Sequence, residues 1–227
     1  MILITGASRG IGKFLFEEFT KTGQEVYGTY YTENSELENN DRYYRLDVSN
    51  FHETENLIEL LAPVIKNSVL LNCAGNNYNC FAHKSKPEEW SKVISINLIG
   101  TYNMIRSILP SMRAQNYGRI INFSSVVAEV GVPGTSAYAA SKAGLWGMTR
   151  SMAVENANKG ISINNLNLGY FDIGMIREVS AEDQIIVKKK IPTGKFGDPQ
   201  NIFNAVNFII TSDYLTGTSL DINGGIF

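Results

Sequence analysis

Tyr138 and Lys142 stand four residues apart in the run Tyr138-Ala139-Ala140-Ser141-Lys142. On a helix that interval places the phenol and the ammonium on one face, about one turn apart. A free tyrosine with a pKa near 10 is roughly 0.1% ionised at neutral pH, so a phenol that exchanges protons needs a fixed cation beside it. The pair suits proton transfer to or from an oxygen. The same spacing also occurs in an ordinary surface tyrosine and lysine, and the rest of the chain has to decide between the two. A second cluster, Thr5-Gly6-Ala7-Ser8-Arg9-Gly10-Ile11-Gly12, follows an apolar run and opens a helical pattern. Glycines there let the backbone turn tightly and approach a pyrophosphate, whose charge meets the free N–H groups and positive dipole end of the helix. The spacing is Gly-x-x-x-Gly-x-Gly, not the Gly-x-Gly-x-x-Gly of the commonest dinucleotide fingerprint. Gly6, Ser8, Arg9, Gly10, Ile11 and Gly12 are the cofactor candidates of this turn.

These groups have to be held by strands and helices. Apolar clusters alternate with helical-period segments along the whole chain, the pattern of βαβ units. The expectation is an α/β, Rossmann-like, doubly wound fold with a mainly seven-stranded parallel sheet and helices on both faces. Strands are read at 2–5, 25–30, 43–47, 68–72, 119–124, 162–167 and 219–222, and a helix at 51–66 from Leu57, Leu60, Leu61 and Val64. Asp198-Pro199 marks a later helix start, a cap residue followed by proline at the first helical position. A single dinucleotide-binding domain, 1–227, is expected, with the irregular stretch 170–197 as a substrate lid. Asn72-Cys73-Ala74-Gly75 ends the fourth strand at the carboxyl edge of the sheet, where ligands of doubly wound folds sit. Ser124-Ser125 ends the fifth.

The chain has 227 residues, 44% hydrophobic and 19% charged, with a formal charge of −2. That composition excludes disorder and fibres, and it lacks the basic footprint that nucleic acid requires. Two cysteines are too few for a disulfide framework, and no apolar run approaches the ~20 residues of a membrane span. A cytoplasmic protein is expected, without nucleic-acid or membrane partners. Cys73, Cys80 and His83 match no standard zinc spacing, and no metal site is expected.

Taken in order, these signals resemble the short-chain dehydrogenase/reductase family in its single-domain form, over essentially the whole chain. The resemblance rests on Thr5 to Gly12, Asp47-Val48, Asn72-Cys73-Ala74-Gly75, Asn97 in the fourth helix, Ser125, Tyr138, Lys142 and Asn223-Gly224-Gly225. It implies that Tyr138 is the general acid/base and that Ser125 holds the substrate oxygen, with Ser124 a weaker candidate. It implies that Lys142 binds the nicotinamide ribose and lowers the tyrosine pKa, and that Asn97 anchors a water of the proton relay. Cofactor contacts are implied for Tyr30, Asp47, Val48, Asn72, Ala74, Gly75, Gly169 and Ile173. Within the family the likeness is to the 3-oxoacyl-acyl-carrier-protein reductases, through Gly118 to Val127 and Lys142-Ala143-Gly144-Leu145.

An NADP-dependent oxidoreductase is therefore expected, acting on a small-molecule carbonyl substrate, either a 3-oxoacyl thioester or a sugar-derived compound. The rival from another class is a non-catalytic nucleotide-binding regulator, which has no chemical need for the phenol. NADP(H) is favoured over NAD(H) because no acid ends the second strand at Thr29-Tyr30-Tyr31, while Arg9 can pair with a 2′-phosphate. Glu33, three residues beyond Tyr30, keeps NAD open. Two departures from the family stand out. After the sixth strand Leu168 stands before Gly169 where the family has a proline, and Ile173 replaces a threonine, at a cost in cofactor affinity of about 1 kcal/mol for one hydrogen bond; Cys73 replaces an asparagine. Where the resembled reductases place docking arginines, this chain has Asn116 and Lys159. Lys188, Lys189, Lys190 and Lys195 are read as a solvated lid face or as substitutes for those arginines, and the polar run Asn76-Asn77-Tyr78-Asn79 as a plain loop or as the substrate rim. A homotetramer is expected from Leu109, Met112, Trp146, Met148 and Met152, read as surplus apolar surface, and from Ile226-Phe227 packing across a two-fold axis.

Overall fold

The structure is a computed structural model that describes residues 1–226. Phe227, set against a partner in the reading above, lies outside the described residues. Strands β1 (Ile2–Thr5), β2 (Val26–Tyr30), β3 (Tyr43–Arg45), β4 (Val69–Asn72), β5 (Gly118–Ser125), β6 (Ile161–Leu168) and β7 (Ser219–Ile222) form one parallel sheet in the order β3-β2-β1-β4-β5-β6-β7. The chain builds outward from β1 to β3, then crosses back to start the other half at β4. The carboxyl ends of β1 and β4 therefore flank the switch point, the crevice where ligands of such sheets bind.

Alternation along each strand loads both faces. Ile2 and Ile4 of β1, Leu71 of β4 and Ile121 of β5 pack against Leu15 and Phe19 of α1 (Gly10–Lys21) and, across the same face, α9 (Pro199–Thr211). Leu3, Leu70 and Ile120 point the other way, onto α3 (Phe51–Leu61) and α5 (Gly100–Gln115). Each such buried Leu or Ile contributes about 1.5–3 kcal/mol, so the layering is a direct consequence of the period-two pattern. The other helices are α2 (Ser35–Glu38), α4 (Pro87–Ile94), α6 (Val127–Val130), α7 (Ser136–Asn156) and α8 (Ala181–Lys190). α9 starts as its sequence requires, with Asp198 accepting the Gln200 N–H at 2.9 Å ahead of Pro199.

Three expectations need correction. The helix read at 51–66 stops at Leu61: Ala62 still has helical angles, but Pro63 has no N–H to donate back to Glu59 O, and the chain goes on as a turn. Asn97 does not sit in a regular helix but in a five-residue π-helical turn, Ser95–Ile99, between α4 and α5. Met112 is fully buried, and Leu109, Met148 and Met152 pack against the core under α5, so they are not the surplus apolar surface that was read as an interface. The exposed apolar side chains are others, among them Ile99, Tyr102, Val154 and Phe208.

The stretch between β6 and α9 contains a 3-10 turn, Gly174–Glu178, and α8, closed around Ile176, Ile191 and Phe196 as a small core of their own. Among the described residues no helix is long and apolar enough to cross a membrane.

Candidate active site

The glycine turn is a cradle made of backbone. Gly6 adopts φ +66°, and a Cβ there would lie 2.8 Å from Ala74 Cα; one on Gly12 would lie 2.3 Å from Gly6 O. No side chain caps the start of α1, where Arg9 occupies the N-cap position. The turn is tied to its neighbours by Ala7 N–H to Thr29 O at 2.7 Å and by Ala74 N–H to the Thr5 hydroxyl at 3.0 Å. A space free of side chains facing a helix N-terminus fits a pyrophosphate. Beside it a cavity of about 460 Å³ opens between α1 and the 3-10 turn, lined by Gly10, Lys13, Phe14, Ile173, Gly174 and Arg177 among others. Ile173 thus stands at the cradle, and its own N–H is used by Phe171 O at 2.7 Å.

The side chains singled out for chemistry converge at the carboxyl ends of β4 and β5. Tyr138 and Lys142 share a face of α7, with Lys142 Nζ 5.5 Å from the centroid of the Tyr138 ring. Lys142 is buried, and Nζ donates to Phe123 O at 2.7 Å. Burial lowers its pKa to about 8, with Cys73 a smaller influence in the other direction. Burial pushes Tyr138 up to about 12; the Ser125 hydroxyl beside the phenol lowers it and Tyr170 adds to the rise, so the lowered tyrosine pKa expected from Lys142 is corrected to a raised one, because burial outweighs the polar neighbours. Ser125, at the last position of β5, also accepts the Val127 N–H at 3.2 Å. Asn97 is buried, and its amide clamps the loop after β4: Oδ1 accepts Asn76 N–H at 2.7 Å, while Nδ2 donates to Asn76 O at 2.9 Å and to the Ser141 hydroxyl at 3.0 Å. Gly75 lies between these groups, where a Cβ would be 3.4 Å from Asn97 Oδ1 and 3.8 Å from Lys142 Nζ.

The remaining sequence candidates are placed less uniformly. Arg9 is exposed and faces Glu178 of the 3-10 turn at 3.8 Å. Tyr30 is buried at the end of β2, and the exposed ring at that edge is Tyr31. Glu33 is exposed and paired with Arg45 at 3.6 Å. Asp47 accepts the N–H and hydroxyl of Ser49 at 2.9 and 2.6 Å, and Val48 is buried under Gly100. The Asn72 amide turns into the protein and donates to Asn122 Oδ1 at 2.8 Å, while Gly169 abuts Asn223 so closely that a Cβ would come within 2.6 Å of its Cα. Burial raises the Cys73 thiol well above its ordinary pKa, so it stays protonated.

The sequence reading missed a set of polar groups beneath this site. Asn72, Asn122, Thr149, Asn165 and Ser219 form one hydrogen-bonded row from β4 to β7, with distances of 2.7 to 3.0 Å. The available signal was Asn164-Asn165-Leu166-Asn167, three asparagines inside a strand of a parallel sheet that ought to read as continuously apolar.

Comparison with known proteins accords with this geometry. The family model for short chain dehydrogenase matches residues 1–184, and the chain belongs to that family. It is accordingly a nicotinamide-dependent oxidoreductase. Among curated proteins it is similar to the 3-oxoacyl-acyl-carrier-protein reductase of Rickettsia bellii, 37% identical over 232 residues that cover 99% of this chain and 95% of that one. The reductases of that name from Vibrio cholerae and Escherichia coli are each 34% identical over 234 residues, with 99% of this chain and 96% of theirs covered.

Proposed function

We propose that the protein is an NADP-dependent reductase of a carbonyl group, with a 3-oxoacyl thioester as the substrate class, built as a single dinucleotide-binding domain whose segment 170–197 serves as the substrate lid. The observation that carries this reading is the convergence of Ser125, Tyr138 and Lys142 at the edge of the sheet beside a side-chain-free cradle. The relatives' names support the thioester.

The bound nicotinamide supplies the hydride that reaches the carbonyl carbon. Tyr138, with its pKa raised to about 12, is protonated at neutral pH and so is ready to donate to the carbonyl oxygen. Ser125 holds that oxygen by a hydrogen bond. Lys142, buried against Phe123 O, binds the ribose and stabilises the phenolate left by proton donation. Asn97 keeps the Asn76 loop and α7 in register around the route by which Tyr138 recovers its proton. The glycine turn with Ser8, Ile11 and Gly12 takes the pyrophosphate, Arg9 the 2′-phosphate, Asp47 and Val48 the adenosine side, and Ala74, Gly75, Gly169 and Ile173 the nicotinamide half; Tyr30, with its ring buried, and Asn72, with its amide turned into the protein, have only backbone to offer. Exposed Ile99, Tyr102 and Val154 support burial against further copies in a homotetramer.

The test is NADPH oxidation with a 3-oxoacyl thioester, followed by absorbance. Turnover on the thioester supports the reading; no NADPH consumption with any thioester or ketone overturns it. A second reading, reduction of a small sugar-derived carbonyl compound, is favoured by one feature. In the loop after β4, Asn77 Oδ1 is buried without a partner, an acceptor suited to a substrate hydroxyl. The same assay with keto sugars separates the two.

A further inference from the structure

Lys142 is gripped at two points by consecutive residues of β5. Phe123 O accepts from its Nζ at 2.7 Å, and the buried Ser124 hydroxyl donates to its backbone carbonyl at 3.1 Å. A carbonyl in the middle of a helix already accepts the N–H four residues on, so the Ser124 bond is a second one on the same oxygen. The grip extends further into the protein. Trp146, one turn along α7, directs its indole Nε1–H at Ser124 Oγ and at Asn167 Oδ1, both 3.1 Å away. Asn167 Nδ2 donates in turn to Asp221 Oδ1 on β7 at 2.8 Å. Ser124 is therefore both donor and acceptor, and Asn167 uses both ends of its amide.

Such an arrangement has a physical cost that apolar side chains would not incur. Each buried polar atom has to be satisfied, and the orientation that satisfies all of them is a single one. What it fixes is the height of the Lys142 turn above β5 and hence the distance between the ammonium and the phenol. A lysine reaches its target through four flexible methylenes, so anchoring both its backbone and its Nζ removes most of that freedom.

We propose that Ser124, Trp146 and Asn167 are positioning residues for Lys142, holding the ammonium where it acts on Tyr138 and on the cofactor ribose. The proposal rests on the assignment of Tyr138 and Lys142 as the proton-transfer pair. It also gives Ser124 a role distinct from that of Ser125: its hydroxyl is committed to the Lys142 carbonyl and the Trp146 indole.

The experiment uses the enzyme saturated with NADPH. Trp146→Phe keeps an aromatic ring and loses the N–H, and kcat is expected to fall about fivefold to tenfold, the loss of one hydrogen bond, with KM for the carbonyl substrate within about twofold. The alkaline limb of the kcat–pH profile moves to higher pH, because Lys142, whose buried pKa of about 8 puts its proton loss ahead of that of Tyr138, regains water when it is less well held. The titratable groups facing the pair from other elements, Cys73 after β4 and Tyr170 after β6, are untouched by the variant. NADPH affinity, read by fluorescence titration, falls with kcat. Ser124→Ala removes one oxygen from β5 and carries the same expectations if Trp146→Phe does not fold. A purely structural role would lower the melting temperature and move neither the pH limb nor NADPH affinity. Wild-type kcat, pH limb and NADPH affinity in folded Trp146→Phe or Ser124→Ala, with Tyr138→Phe and Lys142→Ala inactive, would overturn the proposal alone. Tyr138→Phe and Lys142→Ala retaining full turnover would overturn the assignment of the pair and the proposal with it.

Discussion

Strands β1 and β6 occupy comparable places, each covered on both faces, yet they are built differently. β1 buries Ile2, Leu3 and Ile4 and a single polar residue, Thr5. β6 buries Ser162, Asn164, Asn165 and Asn167 among its eight residues. Around β1 the fold is held by apolar contact, which is strong but indifferent to detail, since many side chains of similar volume fill the same space. Around β6 it is held by pairs: Asn164 spans Leu215 O and Thr218 N–H, Asn165 joins Thr149 to Ser219, and Asn167 joins Trp146 to Asp221. The chemistry assigned to each half matches its construction. The cradle beside β1 is backbone and needs only space. The helix over β6 carries Tyr138 and Lys142, whose mutual distance has to be held, and directional bonds hold a distance better than dispersion does.

The largest effect that tests this contrast is expected at the phenol. Tyr138→Phe should lower turnover by about 10²–10⁴-fold, the usual worth of a general acid, while NADPH affinity stays near wild type because the ring remains. Lys142→Ala should lower both. Activity above about one-tenth of wild type in the phenylalanine variant would remove the phenol from the mechanism.

Stability should divide along the same line. Leu71→Ala, in the apolar half, should cost about 2–5 kcal/mol in urea unfolding, through lost burial and a cavity. Thr149→Val, nearly isosteric, should cost about 1–3 kcal/mol by stranding Asn122 Nδ2 and Asn165 Oδ1 in the interior. A neutral Thr149→Val would mean that the polar row is not under tension and the contrast between the halves is only descriptive.

The pH dependence of the cofactor-free protein sharpens the point at Lys142. Its folded pKa, about 8, is below the model-compound value of 10.5, so between those values the unfolded chain binds more protons and stability rises with pH. The full span is about 3 kcal/mol. It is complete above 10.5 and lost as pH falls through 8. Tyr138 acts oppositely: with its pKa raised from 10 to about 12, its contribution is complete below pH 10 and lost as pH rises towards 12. The clean window is therefore pH 8 to 10, in which the stability of wild type relative to Lys142→Met should increase. A flat difference across that window would place the lysine in a wetter setting than its burial indicates.

The smallest effect is expected at the exposed edge. Arg9→Ala should weaken NADPH binding by about tenfold, the lower end for a charged hydrogen bond, and leave NADH binding unchanged. The loss should shrink at high salt, because Arg9 and its neighbour Glu178 are largely in water. Equal effects on the two cofactors would remove Arg9 from 2′-phosphate recognition.

Much of the fold was legible because its signals are local. Each strand read from the sequence lies within two residues of its place in the structure, and Asp198-Pro199 began α9 as read. Glycine spacing marked the cradle and the Tyr138–Lys142 interval marked the pair, since both depend on backbone geometry over a few residues. What was misread depended on distance. Met112 looked like spare apolar surface because nothing near it in sequence tells that α5 lies against Leu70 and Ile120. Asn97 was placed in an ordinary helix because the π-helical turn has no local pattern of its own. Trp146 was read as apolar bulk, although its indole N–H is hydrogen-bonded to Ser124 and Asn167.

By itself, then, the sequence determined the alternation of strands and helices, the direction of the sheet, the cradle and the types of side chain available for proton transfer, because these follow from period, turn chemistry and spacing along one chain. Only the tertiary structure decided what surrounds them. Lys142 has a pKa near 8 because the folded chain buries it away from water, and its position is shared with Ser124, Trp146, Asn167 and Asp221, residues separated by up to 97 positions in the chain. Burial and hydrogen-bond partnership are properties of the neighbours that folding supplies, and no local pattern encodes them.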